Sequence, residues 1–165
     1  MVKVSAVAAT VAMRNNTLPF SVKNTRNGCR LIYLNGEQSE LSISAKDYLN
    51  ELCLRHCSTL EGRMEACRHF LSITQKACLL ISERSEEVYF PIRGLKDKDN
   101  EWFLFSSIVT YHSVSDNSTE LIFKDGTRTV TDVNYRTVKM QIERCKKLLL
   151  MLDLFNSETN KTAVI

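Results

Sequence analysis

Two dipeptides constrain this chain more than any compositional total: Asn35-Gly36 and Asp125-Gly126, each set between runs that alternate apolar and polar residues. Such pairs accept the positive backbone φ of tight hairpin turns, whose twist matches that of the strands they join. Thus "CRLIYLNGEQSELSIS" reads as a hairpin turning at Asn35-Gly36, and "TELIFKDGTRTV" as one turning at Lys124-Asp125-Gly126. Alternation buries one face of each strand and leaves the other outward. A chain built around such hairpins is committed to antiparallel pairing.

Each hairpin runs into a helical pattern. Ser44 has the character of an N-cap, with Asp47 in the capping-box position. Tyr48, Leu49, Leu52, Cys53, His56 and Leu60 then repeat at helical spacing, which predicts one helix near 44–61 that Gly62 ends or bends. Asp132 or Asn134 can cap a second helix near 134–155, with Val138, Ile142, Cys145, Leu148, Leu149 and Leu152 as its apolar stripe. Between them, "HFLSITQKACLLIS" and "EEVYFPIRGL" read as strands divided by the charged turn Glu83–Glu86. Pro91 demotes the end of the second to an edge or exit. "WFLFSSIVTYHSV" reads as one strand with Trp102 at its entrance, and Asn15–Gly28 as a polar, turn-rich stretch.

The run Val4–Met13 reads as a buried first strand; it is short for a signal-peptide core and meets Arg14 at once. No stretch of about 18 apolar residues is present, so no membrane span is expected. No internal repeat or interdomain linker is evident. The expectation is an α+β fold: a single domain over 1–155 with a mostly antiparallel sheet of several hairpins, and a flexible tail over 156–165. The 165 residues are enough to bury about two thirds of the unfolded surface. The six cysteines (Cys29, Cys53, Cys57, Cys67, Cys78, Cys145) fall mostly in apolar helix or strand patterns. They are expected to be free thiols in a reducing cytoplasm rather than a disulfide framework.

Catalytic patterns are missing: there is no Gly-rich phosphate loop, nucleophile elbow or His-Glu-x-x-His motif. The chain is expected not to be an enzyme and to carry no cofactor. "CLRHCSTLEGRMEACRH" holds zinc-type donors in Cys53, His56, Cys57, Cys67 and His69. Their spacing on one helix is unlike a zinc knuckle, and an apolar helix face is the preferred reading, with no metal.

Charge is more informative by position than by sum. The 22 basic and 19 acidic residues leave only +3. Yet Arg128, Arg136, Lys139, Arg144, Lys146 and Lys147 share one span in which Asp132 and Glu143 are the only acids. Arg63 is read at the helix exit beside Gly62, with Arg68 and Lys76 in the strand after it. Guanidinium and ammonium groups in such settings suit phosphate contact.

In order along the chain, these features resemble the ComK-type competence transcription factors of Gram-positive bacteria. The Cys53 helix followed by Gly62-Arg63 is similar to that family's Cys-bearing helix, Ser-rich turn and Gly-Arg step. "SITQKACLLIS" is similar to its Ile-Ser-x-Lys-Pro-Pro segment, with Ile73 and Lys76 in place and Ala77-Cys78 where the prolines stand. "VYFPI", Trp102, the Asp125-Gly126 hairpin, Tyr135 and Gln141 follow collinearly, from about Val7 to Leu150.

The resemblance implies a sequence-specific, DNA-binding activator of DNA-uptake genes, cytoplasmic and associated with the nucleoid. It would self-associate on paired A/T-rich boxes, largely through the minor groove. It also implies Arg63 first and Lys76 second as DNA contacts. Arg68, Arg128, Arg136, Lys139, Arg144 and Lys147 follow from charge, with Gly62 as backbone geometry. Trp102, Tyr135 and Ile142 read as core. The extension through which longer members meet an adaptor and protease is nearly absent, which leaves that control open. The competing expectation is a ComK-like interaction module that has lost DNA binding and modulates a full-length relative.

Overall fold

The computed structural model describes residues 17–162, with side chains to 159. The first-strand reading at Val4–Met13 lies outside the described residues. Three strands open the described chain: β1 (Ser21–Thr25), β2 (Gly28–Ile32) and β3 (Gln38–Leu41). Helices α1 (Ala45–Leu54) and α2 (Leu60–Leu71) follow, then β4 (Leu79–Ser82), β5 (Glu87–Pro91) and β6 (Glu101–Leu104). A 3-10 turn at Phe105–Ser107 leads into β7 (Ile108–Ser115), β8 (Ser118–Phe123), β9 (Arg128–Thr131) and α3 (Tyr135–Thr162). A six-stranded sheet runs β3-β2-β1-β6-β5-β4 and a three-stranded sheet β7-β8-β9, and every pair is antiparallel. The α+β class and its antiparallel sheets are as the hairpins predict.

Aromatic side chains join the two sheets. Phe20, Phe90, Phe103 and Phe123 are fully buried. The Phe20 and Phe123 ring centroids lie 4.1 Å apart, and those of Phe103 and Phe123 5.9 Å. Helix α1 packs on β1 and β2, α2 on β4, and α3 on β5 and β8. Five of the six cysteines are buried within this body and none is paired. The Cys145 thiol points at Cys78 Sγ, 3.4 Å away.

Several boundaries differ from the sequence reading. The 44–61 helix is two helices, because Arg55 closes α1 and Cys57 turns back with φ 55°. Thr59 then caps α2, its Oγ1 accepting from the Gly62 N–H at 3.0 Å. Apolar spacing ran through the break because both helices face one core. Residues His69–Leu71, read as strand, are the last turn of α2; Ser72 ends it with φ 53°. The single strand read after Trp102 is two strands in different sheets, separated by the 3-10 turn. β1 falls inside the stretch read as polar and turn-rich, where Leu18, Phe20 and Val22 supply a sparse apolar signal. Pro91 is the exit of β5, an interior strand rather than an edge. Helix α3 continues through Thr162, past the predicted start of the tail at 156.

A repeat that the residues conceal is plain in the backbone. Strands β2 and β3 with α1 recur as β8, β9 and the start of α3 at an offset of 90 positions, with β1 and β7 as first strands; bulges in β7 shift most of its pairing with β8 by one residue. Tyr33 N–H donates to Glu37 O at 3.0 Å, and Phe123 N–H to Thr127 O at 2.9 Å. Gly36 and Gly126 take φ 82° and 86°. Asn35 and Asp125 each accept from the backbone two residues on, and Ser44 and Asn134 each cap their helix through the N–H three residues on. The β2–β3 register (Leu31↔Ser39) recurs as Leu121↔Thr129. The chain therefore does contain an internal repeat, contrary to the sequence reading: backbone geometry is kept while most side chains differ.

Candidate nucleic-acid interface

Gln141, completely buried on α3, organises the region. Its Nε2 donates to Pro91 O at 2.6 Å and to Lys76 O at 3.1 Å, while its Oε1 accepts from Arg144 Nη1 at 2.9 Å. Arg144 Nη1 also reaches Gln75 O at 3.1 Å and Lys76 O at 3.3 Å. One amide thus ties the loop before β4 and the end of β5 to the third helix. Lys76 sits in that loop with φ 51°, a left-handed conformation uncommon outside glycine. Its backbone is fixed there while its side chain remains half-exposed.

Lys76, Arg93, Asn117, Asn134 and Thr137 border a polar depression of about 320 Å³ at the start of α3. Arg93 bonds Asp132 at 2.5 Å and lies 3.7 Å from Asp97, so its single charge is set against two carboxylates that also border the depression. The guanidinium holds the Asp132 carboxyl below its usual range. Arg136, Lys139 and Lys147 lie on the exposed side of α3. Among the described residues, the side chains of Lys76, Arg136, Lys139 and Lys147 enter no ion pair. Lys146 is held by Glu143 at 3.6 Å.

The other predicted cations are engaged elsewhere. Arg63 is not at a helix exit; it lies in the first turn of α2, its side chain only 17% exposed, 3.7 Å from Glu83 and 3.4 Å from His56 O. Arg68 is helical rather than in a strand and faces Glu61 at 3.8 Å. Lys76 is in the loop before β4, not in a strand. Arg128 lies on the small sheet beside Glu120, at 3.5 Å, and His112 bonds the same carboxylate at 2.7 Å. Gly62 marks a close approach: a Cβ there would stand 3.2 Å from Thr59 Oγ1.

Trp102 and Ile142 are buried, whereas Tyr135 is partly exposed and packs on Tyr111 with ring centroids 5.3 Å apart. Cys53 lies on the buried face of α1, and His56 and Cys57 come after that helix has ended. Sequence reasoning missed Arg93 and the depression, since contacts between separate loops leave no spacing in the sequence.

Four of the segments that carried the resemblance meet in space: Lys76, Phe90-Pro91 and Gln141 form one hydrogen-bonded node, with Trp102 registered beside Pro91. The fold and this node define a small α+β protein in which basic groups stand on and beside one helix. The family model described as ComK protein matches residues 17–155, most of the chain. The chain belongs to the ComK family, a family of competence-related transcription factors. No curated protein and no solved structure shows significant similarity to it. Among the described residues, no helix is long and apolar enough to cross a membrane.

Proposed function

We propose that this protein is a sequence-specific, DNA-binding activator of DNA-uptake genes that self-associates on A/T-rich boxes and reads them largely through the minor groove. Family membership carries the reading. The unpaired cations on and beside α3 support it. Lys76, Arg136, Lys139 and Lys147 are the proposed backbone contacts, with Lys76 held in place by the Gln141 amide. Minor-groove recognition of A·T sequence depends on a few basic side chains and on groove width, so a net charge near neutral is no obstacle.

Gel shifts with A/T-rich and G/C-rich duplexes over a salt series test this. Binding should favour the A/T-rich duplex and fall steeply with salt. Lys76→Ala and Arg136→Ala should each lower the log–log salt slope by about one unit. Equal, negligible affinity for both duplexes would refute the reading.

One observation favours a second reading. Arg63, Arg68, Arg128 and Arg144 each lie against a carboxylate or a side-chain or backbone carbonyl of the protein itself. A ComK-like module that modulates a full-length relative through mixed oligomers would need no free cations there. Co-purification with such a relative, without a DNA shift, would select it.

A further inference from the structure

The internal repeat has a counterpart for the depression at α3. A second and larger one, about 770 Å³, is bordered by Arg26, Asn27, Ser42, Ser44, Lys98 and Asp99. At the offset of 90, Asn27 corresponds to Asn117, Ser42 to Asp132 and Ser44 to Asn134. The loop Arg93–Asn100 runs between the two: Arg93, Gly94 and Asp97 border the first, Lys98 and Asp99 the second. That loop is tied down by Arg93 N–H to Asn100 Oδ1 at 3.0 Å and by Arg93 to Asp132, so both depressions share one wall.

At one position the repeat also matches charge, although Arg26 corresponds to Asp116. Lys46 is the counterpart of Arg136, each the second residue of its helix and exposed. Arg26, Lys46 and Lys98 are exposed, and among the described residues none of them enters an ion pair. The nearby acids are partly committed: Asp47 accepts from Ser44 Oγ at 2.7 Å, and Asp97 lies against Arg93. Asp99 is the carboxylate left facing this group, with its backbone N–H turned to Asp97 Oδ1. Arg26 and Lys98 border the depression against Asp99, and Lys46 stands beside Asp47 on the adjoining turn of α1, so the group carries a surplus of one positive charge.

We propose that Arg26, Lys46 and Lys98 form a second DNA-backbone contact. A single chain would then grip one duplex at two separate phosphate segments, one for each structural unit. The ligand class is the phosphodiester backbone, and the inference rests on the DNA-binding reading above. Two grips joined by one loop would fix the tilt of the duplex, which a single cluster of cations would leave free to swivel.

The test uses the full chain and A/T-rich duplex. Two double variants are compared with wild type, Arg26→Ala/Lys98→Ala and Lys76→Ala/Arg136→Ala, with folding of each checked by circular dichroism and melting. Each pair is expected to lower the log–log salt slope by about two units and to weaken binding uniformly across sequences. Ethylation interference should give two separated groups of phosphates, and Arg26→Ala/Lys98→Ala should erase one of them. Unchanged slope and footprint in a folded Arg26→Ala/Lys98→Ala variant, while Lys76→Ala/Arg136→Ala loses binding, would overturn the second contact and leave the DNA reading standing. Wild type that binds no duplex would overturn both.

Discussion

Gln141 contributes at the scale of one residue what no charge in the region can. A buried amide has two N–H groups and one carbonyl, and here both donor bonds end on main-chain oxygens of distant segments. Gln141→Leu would leave Pro91 O without this donor and free the Lys76 loop. The expected loss is about 2–3 kcal/mol in denaturant unfolding, since a stranded buried acceptor costs more than a bond contributes. Glu101 makes a different prediction. It is 8% exposed, accepts from Ser21 Oγ at 2.5 Å and stands 3.9 Å from Lys23. Burial raises its pKa above the usual 4.5, against the lowering effects of Ser21 and Lys23. With the folded value raised, its contribution to stability is full below the ordinary carboxylate range and is lost as pH rises through the folded value. Glu101→Gln should remove that decline, visible as a flatter profile of melting temperature against pH from acid toward neutral. An unchanged profile would mean that the carboxyl is not titrating in this way.

At the level of single elements, α2 is where reasoning from residue spacing and the folded structure part most clearly. A Gly-Arg step after an apolar helix reads as an exit; Thr59 makes it an entrance by capping the Gly62 N–H. Arg63 is thereby turned toward Glu83 and the His56 carbonyl instead of outward. Arg63→Ala is expected to lower thermal stability while leaving DNA affinity per folded molecule unchanged. A gel shift showing lost binding by a fully folded variant would restore Arg63 as a contact. The β2–β3 pair offers a steric test. A Cβ on Gly28 would come within 1.8 Å of Leu41 O, opposite the first residues of the hairpin. Gly28→Ala must therefore move backbone, and a loss of about 3 kcal/mol or more is expected in equilibrium unfolding. The hairpins and the caps at Ser44 and Asn134 were legible because turns and caps are local chemistry. β1 and the division of α1 from α2 were not, because those boundaries are set by what packs across the core.

Over the whole molecule, legibility followed the same line. Family membership could be read from short motifs in order, yet their meeting around Gln141 could not, since Lys76 and Gln141 lie 65 positions apart. The repeat stayed hidden because it is written in φ angles and main-chain hydrogen bonds, with Tyr33 standing where Phe123 stands in the other unit, and Ser44 where Asn134 stands, equivalents in role rather than in identity. Arg63 and Lys76 were named from the resemblance and the other candidate cations from charge, and half of the set lies against carboxylates or carbonyls of the protein itself. The large sheet has one more consequence. Its two halves are sewn together by β1 and β6, whose paired residues Ser21 and Phe103 are far apart in the chain. On a ribosome adding roughly 5–20 residues per second, the first meander waits several seconds with that flank bare before its neighbour is synthesised. During this interval the nascent chain is a substrate for chaperones, and a stalled or truncated product ending before Glu101 should be insoluble when expressed alone.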